Sequence, residues 1–337
     1  MRRDQGAQHD SARRGSLLVI DIHSHVVPLV DPPETAGGWP RVDVTGDCGD
    51  VYMGDLRFRT VRRESWDLAR RVDEISSLGI EVQVLSPMPE LFCYWADTGA
   101  ARSYCRSVND WLADAVAGGD GRFEGFGIVP LQDPDAAAAM LSEIADAGLR
   151  GIEIGTNING VPLHDPRFTI VFEECARRGL VTFVHAFHPP SFGRFTPAVG
   201  NAITFPNDVG ETLAGLLAGG LLENVPGLRL CGSHAGGSLS VVLPRLDLMW
   251  AIDEEFRDSL ARAPGVYARQ LWVDCLAYSP AVLTLVMRML GPAATVFGSD
   301  YPFLPMPGAD ALCGEGTAPT IEELESALDG NARRLLP

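Results

Sequence analysis

Short apolar runs recur along the chain near 17–22, 80–87, 123–131, 149–155, 180–187, 228–234, 270–276 and 294–299, and each reads as a strand. The stretches between them have helical periodicity. "WDLARRVDEISSLGI" sets Leu68, Val72, Ile75 and Leu78 three or four residues apart, one stripe of an amphipathic helix. "DPDAAAAMLSEIADAGL" opens with Asp and Pro, which cap and start helices, and stops at Gly148. Further helices are expected at 98–117, 165–178, 206–219, 237–260, 279–290 and 319–335. Strands written as continuous apolar runs are buried on both faces, as parallel sheets require. Alternating with helices in this number, they predict an α/β fold, a (β/α)8 TIM barrel. Two stretches break the alternation: a long insertion after strand 1, residues 29–65, and a second at 188–205. In a barrel the loops that follow strands build the active-site face, so both are expected to meet substrate.

Polar residues close several of these strands. "LLVIDIHSHVVP" carries Asp21, His23 and His25 at every second position, which places them on one strand face where two imidazoles can reach one ion. "VTFVHAF" puts His185 at the end of strand five, "LRLCGSHAGG" puts His234 at the end of strand six, and "TVFGSDYPF" puts Asp300 at the end of strand eight. Burying any of them without a partner is costly, and convergence on a metal accounts for all of them together. His23, His25, His185 and Asp300 offer three imidazole nitrogens and one carboxylate, a set that suits Zn²⁺ or a similar divalent ion with one position left for water. His234 is then free to serve as general base or acid.

Composition narrows the field. The chain has 337 residues, 46% of them hydrophobic, and a net charge of −17, which argues against phosphate backbones or anionic membranes as partners. No apolar run reaches the ~18 residues of a membrane span, and "MRRDQGAQHDSARRG" lacks the apolar segment of a signal peptide. Seven cysteines without paired spacing fit reduced thiols and a cytoplasmic location. Residues 1–15 read as a disordered extension and 16–337 as a single barrel domain. All 27 basic residues are arginine. The absence of lysine excludes Schiff-base chemistry, a lysine-anchored pyridoxal phosphate, a Walker lysine and a carboxylated-lysine bridge between two metals. There is no G-x-S-x-G elbow, no G-x-G-x-x-G opening a helix and no basic aromatic stripe for nucleic acid.

The arrangement H-x-H, His, His, Asp on strands one, five, six and eight resembles the amidohydrolase superfamily. "FRTVRRESWD", "VQVLSPMPELFCYWA" and "GSDYPF" resemble, more narrowly, the aminocarboxymuconate-semialdehyde decarboxylase family, and the similarity runs from about residue 17 to "GNARRLL". The resemblance implies one Zn²⁺ held by His23, His25, His185 and Asp300, with His234 handling the proton of the ion's water. It also implies that Arg59 holds a substrate carboxylate and that Arg245 enters the site of a neighbouring subunit, so that the active form is a homodimer. Read from the residues alone, Arg59 beside Phe58 and Arg245 in "VVLPRLDLMW" are structural or solvated arginines. Trp95 in "CYWAD" either walls the pocket or packs in the core. Glu153 ends strand four, where it could bridge a second ion or pair with an arginine; Asp274 ends strand seven, where it orients a ligand or caps. The chain departs from the family after His185, where Asn201 stands about where a pocket-lining tryptophan is found and where His188 and Arg194 add polar groups. The expected function is a metal-dependent, non-oxidative decarboxylase of a small aromatic-derived acid. The alternative is a hydrolase or cyclase acting on an amide or ester of such an acid.

Overall fold

The computed structural model describes residues 19–33, 37–304 and 326–336. The extension expected at 1–15 and the first part of the last expected helix lie outside the described residues. Each of the eight apolar runs is a strand: β1 (Val19–Val26), β2 (Ile80–Pro87), β3 (Phe123–Gly127), β4 (Gly151–Gly155), β5 (Val181–His185), β6 (Arg229–Gly232), β7 (Trp272–Asp274) and β8 (Thr295–Val296). They pair in parallel, in chain order, as one sheet. The residues after β8 close the ring on β1. Ile22 N–H donates to the Phe297 carbonyl at 2.9 Å, Asp300 N–H to the His23 carbonyl at 2.8 Å, and His25 N–H to the Tyr301 carbonyl at 2.7 Å. Several strands are shorter than the apolar runs that announced them. After β3, for example, Ile128, Val129 and Leu131 are still buried although the chain has left the sheet.

β1 does not keep the strict alternation that its sequence suggests. Its register against β2 shifts between Asp21 and Ser24, and such a bulge lets the phase of the strand change. His23 and His25 join the cluster at the barrel's end, whereas Asp21 accepts from Gln83 Nε2 at 2.7 Å and Ser299 Oγ at 2.6 Å. Asp21 therefore leaves the face that the histidines share. Gln83 in turn accepts from Arg71 Nε at 2.7 Å. Arg71 belongs to α1 (Leu68–Ser77) and is fully buried, donating also to the carbonyls of His25 and Glu64 and to Ser24 Oγ.

The helices cover the barrel much as their apolar stripes require. α1, α2 (Thr98–Ala117) and α3 (Pro134–Asp146) begin at Asp67, Asp97 and Asp133, whose carboxylates accept the N–H groups of Arg70, Ala100 and Ala136. α4 (Thr169–Arg178) stops at Gly179 in the left-handed region. Two expectations change. The helix expected from 206 starts earlier, as α5 (Pro197–Ala218), because Pro197 suits a first turn. It continues through Pro206, whose carbonyl accepts from Ser238 N–H at 3.0 Å. The helix expected over 237–260 is two helices, α6 (Leu239–Ile252) and α7 (Glu254–Ser259). Asp253 between them leaves helical geometry and caps the second through Phe256 N–H. α8 is Pro280–Leu290.

Between β1 and α1 lies the insertion expected at 29–65, rich in Gly, Pro and Asp. The structure has an antiparallel ribbon there, Pro40–Thr45, Cys48–Met53 and Leu56–Arg62. Its two hairpins turn on Gly46 (φ 62°) and Gly54 (φ 60°), each the first residue of a two-residue turn. Only glycine takes that position freely. At the other end of the barrel, Arg229 at the start of β6 donates to the Leu335 carbonyl. Leu335 and Ala332 join a buried cluster with Ile20, Ile22, Phe126 and Phe183.

Replacing Arg71 with methionine fills most of the volume but strands the buried acceptors it now serves. Urea unfolding of Arg71→Met should show stability lower by at least about 3 kcal/mol with little change in the slope. A loss below about 1 kcal/mol would show that those acceptors find other donors.

Candidate metal centre

Parallel strands deliver all their C-terminal ends to one mouth, and the polar residues that close the apolar runs meet there. β1 supplies His23 and His25, β5 ends at His185, β7 ends at Asp274, and the turns after β6 and β8 carry His234 and Asp300. All six are buried.

The geometry separates them into roles. His23 Nε2 and His25 Nε2 lie 3.1 Å apart. Asp300 Oδ1 is 3.3 Å from His25 Nε2 and 3.7 Å from His23 Nε2. With His185 these residues form a group in which one donor atom of each lies within 4.8 Å of every other. Bonds of about 2.0–2.1 Å around a tetrahedral ion would hold donors roughly 3.3 Å apart, so the set fits one divalent ion. His185 Nε2 points in the same sense: it is buried and has no hydrogen-bond partner among the described residues. The opposite ring nitrogens are engaged elsewhere, His23 Nδ1 with Asp274 Oδ2 at 2.7 Å and His185 Nδ1 with the Ala186 carbonyl at 2.8 Å. This is how a protein fixes which imidazole nitrogen faces a metal.

His234 stands beside this group without joining it. Its ring centroid is 5.0 Å from that of His185 and 5.4 Å from that of His23, and its Nε2 is buried without a hydrogen-bond partner among the described residues. Electrostatics differ sharply among the rings. Burial opposes charge on His23, but the carboxylates of Asp274, Asp300 and Glu153 outweigh it and raise its pKa to about 9. Burial dominates at His25, only partly offset by Asp300, and lowers it to about 4. His185 and His234 are both lowered by burial, then by neighbouring histidines. Asp300 is buried as well, yet the hydrogen bond from His25 and the charge of His23 hold its carboxyl well below the ordinary range.

Around the cluster the structure places the other sequence-derived residues unevenly. Arg59 lies on the third ribbon strand with its guanidinium 4.5 Å above the Phe303 ring, and Phe303 stacks on His25 at 5.5 Å. Arg59 is thus carried to the edge of the cluster. Trp95 is 48% exposed and packs on Trp39 at 5.0 Å, so it neither lies in the core nor touches the cluster histidines. Asn201 is exposed on α5; Phe205, one turn further on, has its ring 6.3 Å from His234 and 6.5 Å from His185. Sequence reasoning missed Phe205 because it expected a loop before residue 206, and an i+4 step from Asn201 on a longer helix would have found it. His188 and Arg194 are exposed. Arg245 is exposed on α6 with no ion pair or hydrogen bond among the described residues. Among the described residues Glu153 pairs with no arginine; it is buried opposite His25, with Oε2 3.8 Å from Nδ1, and burial pushes its carboxyl well above the usual range.

A family model described as Amidohydrolase (Amidohydro_2) matches residues 20–337. A 2-amino-3-carboxymuconate-6-semialdehyde decarboxylase from Dictyostelium discoideum is 29% identical, over 95% of this chain and 91% of that protein. Among solved structures, 5-carboxyvanillate decarboxylase from Sphingomonas paucimobilis superposes with a TM-score of 0.79 at 24% identity, over 95% of this chain and 99% of that one. A dihydroxybenzoic acid decarboxylase from Polaromonas sp. JS666, solved with bound manganese and 2-nitroresorcinol, has a TM-score of 0.74 at 22% identity, over 94% and 96% of the two chains. At these identities the superpositions establish a shared fold.

Elemental analysis should find about one divalent ion per chain. His185→Ala and Asp300→Ala should lose most of it, while His234→Ala should keep it. Two tightly held ions in the unaltered protein, or equal loss in His234→Ala, would contradict this division of roles.

Proposed function

Because this chain belongs to the amidohydrolase family, whose model spans residues 20–337, we propose that it is a metal-dependent, non-oxidative decarboxylase of a small aromatic-derived carboxylic acid. The observation that carries the reading is the buried group His23, His25, His185 and Asp300 with His234 beside it and outside it. The decarboxylases among its relatives and structural neighbours support the reaction class.

In this reading His23, His25, His185 and Asp300 hold one divalent ion, which when bound supplies a Lewis acid for substrate oxygens. Three imidazoles and a carboxylate suit Zn²⁺; the manganese in the Polaromonas neighbour makes Mn²⁺ the competing outcome of metal analysis. Arg59, braced on Phe303, offers a guanidinium fork to a substrate carboxylate. Phe205 and Phe303 flank the histidines and suit a flat unsaturated substrate. His234 delivers a proton to the ring carbon that gives up CO₂, so the carbon–carboxyl bond is replaced by a carbon–hydrogen bond with no change in oxidation state of the protein. Burial lowers the pKa of His234, which favours the neutral ring, so the proton it delivers is one it first takes up.

We place Arg245 at a two-fold interface, reaching the partner's pocket. On α6 it shares an outward stripe with Val241, Leu248 and Ile252, which are 70%, 56% and 64% exposed. An apolar stripe of that kind suits contact with a second copy of the chain, and an isologous dimer would deliver both arginines at once. Trp95 and Asn201, both exposed, are left with roles at the rim of the site. The described cysteines are all free and five of the six are buried, consistent with a cytoplasmic protein.

A panel of hydroxybenzoic and aminocarboxylic acids tests the reaction: CO₂ release should appear, and amide or ester cleavage in its place would assign the hydrolase or cyclase alternative. Arg59→Ala should weaken kcat/KM by about 10²-fold through lost carboxylate binding, read by steady-state kinetics. Arg245→Ala and His234→Ala chains, each nearly inactive alone, should regain activity when mixed with verified subunit exchange. A mixture as inactive as its parents would rule out action across a subunit boundary.

A further inference from the structure

The carboxylate of Asp274 lies between the two parts of the site. It is fully buried at the end of β7, and every hydrogen bond the structure gives it leads to the site or its frame. Oδ2 accepts from His23 Nδ1–H at 2.7 Å and from His234 N–H at 2.8 Å. Oδ1 accepts from Ala235 N–H at 2.7 Å and from Leu276 N–H at 3.0 Å. Four donors saturate an ionised carboxylate.

The turn it holds would not form readily by itself. His234 and Ala235 are consecutive non-glycine residues with φ of 53° and 57°, a left-handed conformation that side chains disfavour and that persists only where its surroundings impose it. Both residues direct their N–H groups at Asp274. The space for this meeting is also specific. A Cβ at Gly298, on the neighbouring strand end, would lie 2.8 Å from Cβ of both Asp274 and His23. Beyond the turn, a side chain at Gly237 (φ 56°) would collide with the Pro206 carbonyl.

We propose that Asp274 is a positioning residue that couples the metal group to the proton-transfer residue, holding the His23 ring with Nε2 free to bind an ion and fixing the strained turn that carries His234. This rests on the functional reading above for the roles of His23 and His234. Neutral asparagine cannot do both tasks. Its amide offers one acceptor oxygen and one donor NH₂, so whichever way it is oriented, donor faces donor on one side. With the NH₂ in place of Oδ2, His23 Nδ1–H and His234 N–H lose their acceptor; with it in place of Oδ1, Ala235 N–H and Leu276 N–H lose theirs.

The test compares the unaltered protein with Asp274→Asn. Co²⁺ titration should show affinity weaker by about 10- to 100-fold, the range found when an outer partner of a metal-binding histidine is lost. At saturating metal, kcat should fall while KM for the acid substrate stays within about twofold, because the residue touches neither substrate nor Arg59. Hydrogen exchange should rise by about tenfold or more in a peptide covering residues 233–237. Gly298→Ala keeps the carboxylate but wedges it from His23, so it should weaken Co²⁺ binding in the same direction and stands in if Asp274→Asn does not fold. A folded Asp274→Asn with Co²⁺ affinity and exchange both within about twofold of the unaltered protein would overturn the proposal. Failure of the unaltered protein to release CO₂ from any acid would instead count against the decarboxylase reading alone, since exchange at 233–237 and Co²⁺ affinity still decide the role of Asp274.

Discussion

The main-chain pairing of residues 297–301 with β1 is the contact on which the site depends. His23 and His25 enter near one end of the described chain and Asp300 near the other, and they are neighbours only because Asp300 N–H finds the His23 carbonyl and His25 N–H finds the Tyr301 carbonyl. An open sheet with the same strands would leave imidazoles and carboxylate on opposite edges. The seam is fastened on a second side as well. Asp21 accepts from Ser299 N–H and Oγ at 3.1 and 2.6 Å and from Gln83, and Gln83 and Ser24 are both held by Arg71. The bulge in β1 makes both possible, since it sends Asp21 to the network beside Arg71 and the two histidines to the mouth.

Within that frame, charge and burial are in tension. Four imidazoles and several carboxylates are removed from water together, an arrangement that apolar packing would never favour. It is tolerated because the outward ring nitrogens of His23 and His185 each have an acceptor, while the donor atoms of the four-residue group converge on one point. The same carboxylates that raise His23 are those that would neutralise a bound cation, so the protein's own charges are already arranged for a positive guest.

Much of this was legible in the sequence for a simple reason. His185, His234 and Asp300 each end an apolar run, and a polar residue there has nowhere to go in a parallel barrel except the mouth. The eight strands were readable because both faces are buried, which writes them as uninterrupted apolar runs. The ribbon at 40–62 does not show as a continuous apolar run, because its strands are half exposed; its mark is instead the polar–apolar alternation of "RVDVT" and "LRFRTVR", set among Gly and Asp that read as loop. Asp274 was visible only as a carboxylate at a strand end; that it binds backbone amides of a distant turn depends on tertiary geometry that no local pattern encodes. Helix α5 hid its first turns behind Pro206, which reads locally as a start because it has no N–H to give to the preceding turn, yet lies mid-helix. With it went Phe205. The bulge in β1 left no mark in "DIHSH", whose plain alternation points Asp21 the wrong way.

The ribbon that carries Arg59 leaves and rejoins the barrel at adjacent points, since Val27 N–H donates to the Ser65 carbonyl at 2.8 Å. Its strands satisfy one another's hydrogen bonds, and it is anchored to the barrel at a few points, by buried Val51 and Val61 and by Asp47, which accepts from Arg70 of α1. A segment with neighbouring ends can lengthen, shorten or be exchanged at an entropic cost that grows only slowly with its length. An exchange that keeps those anchors leaves the register of β1 against β2 and the seam to Asp300 in place. Descent with modification can therefore try new recognition ribbons on an unaltered barrel, and a protein engineer can graft one as a cassette.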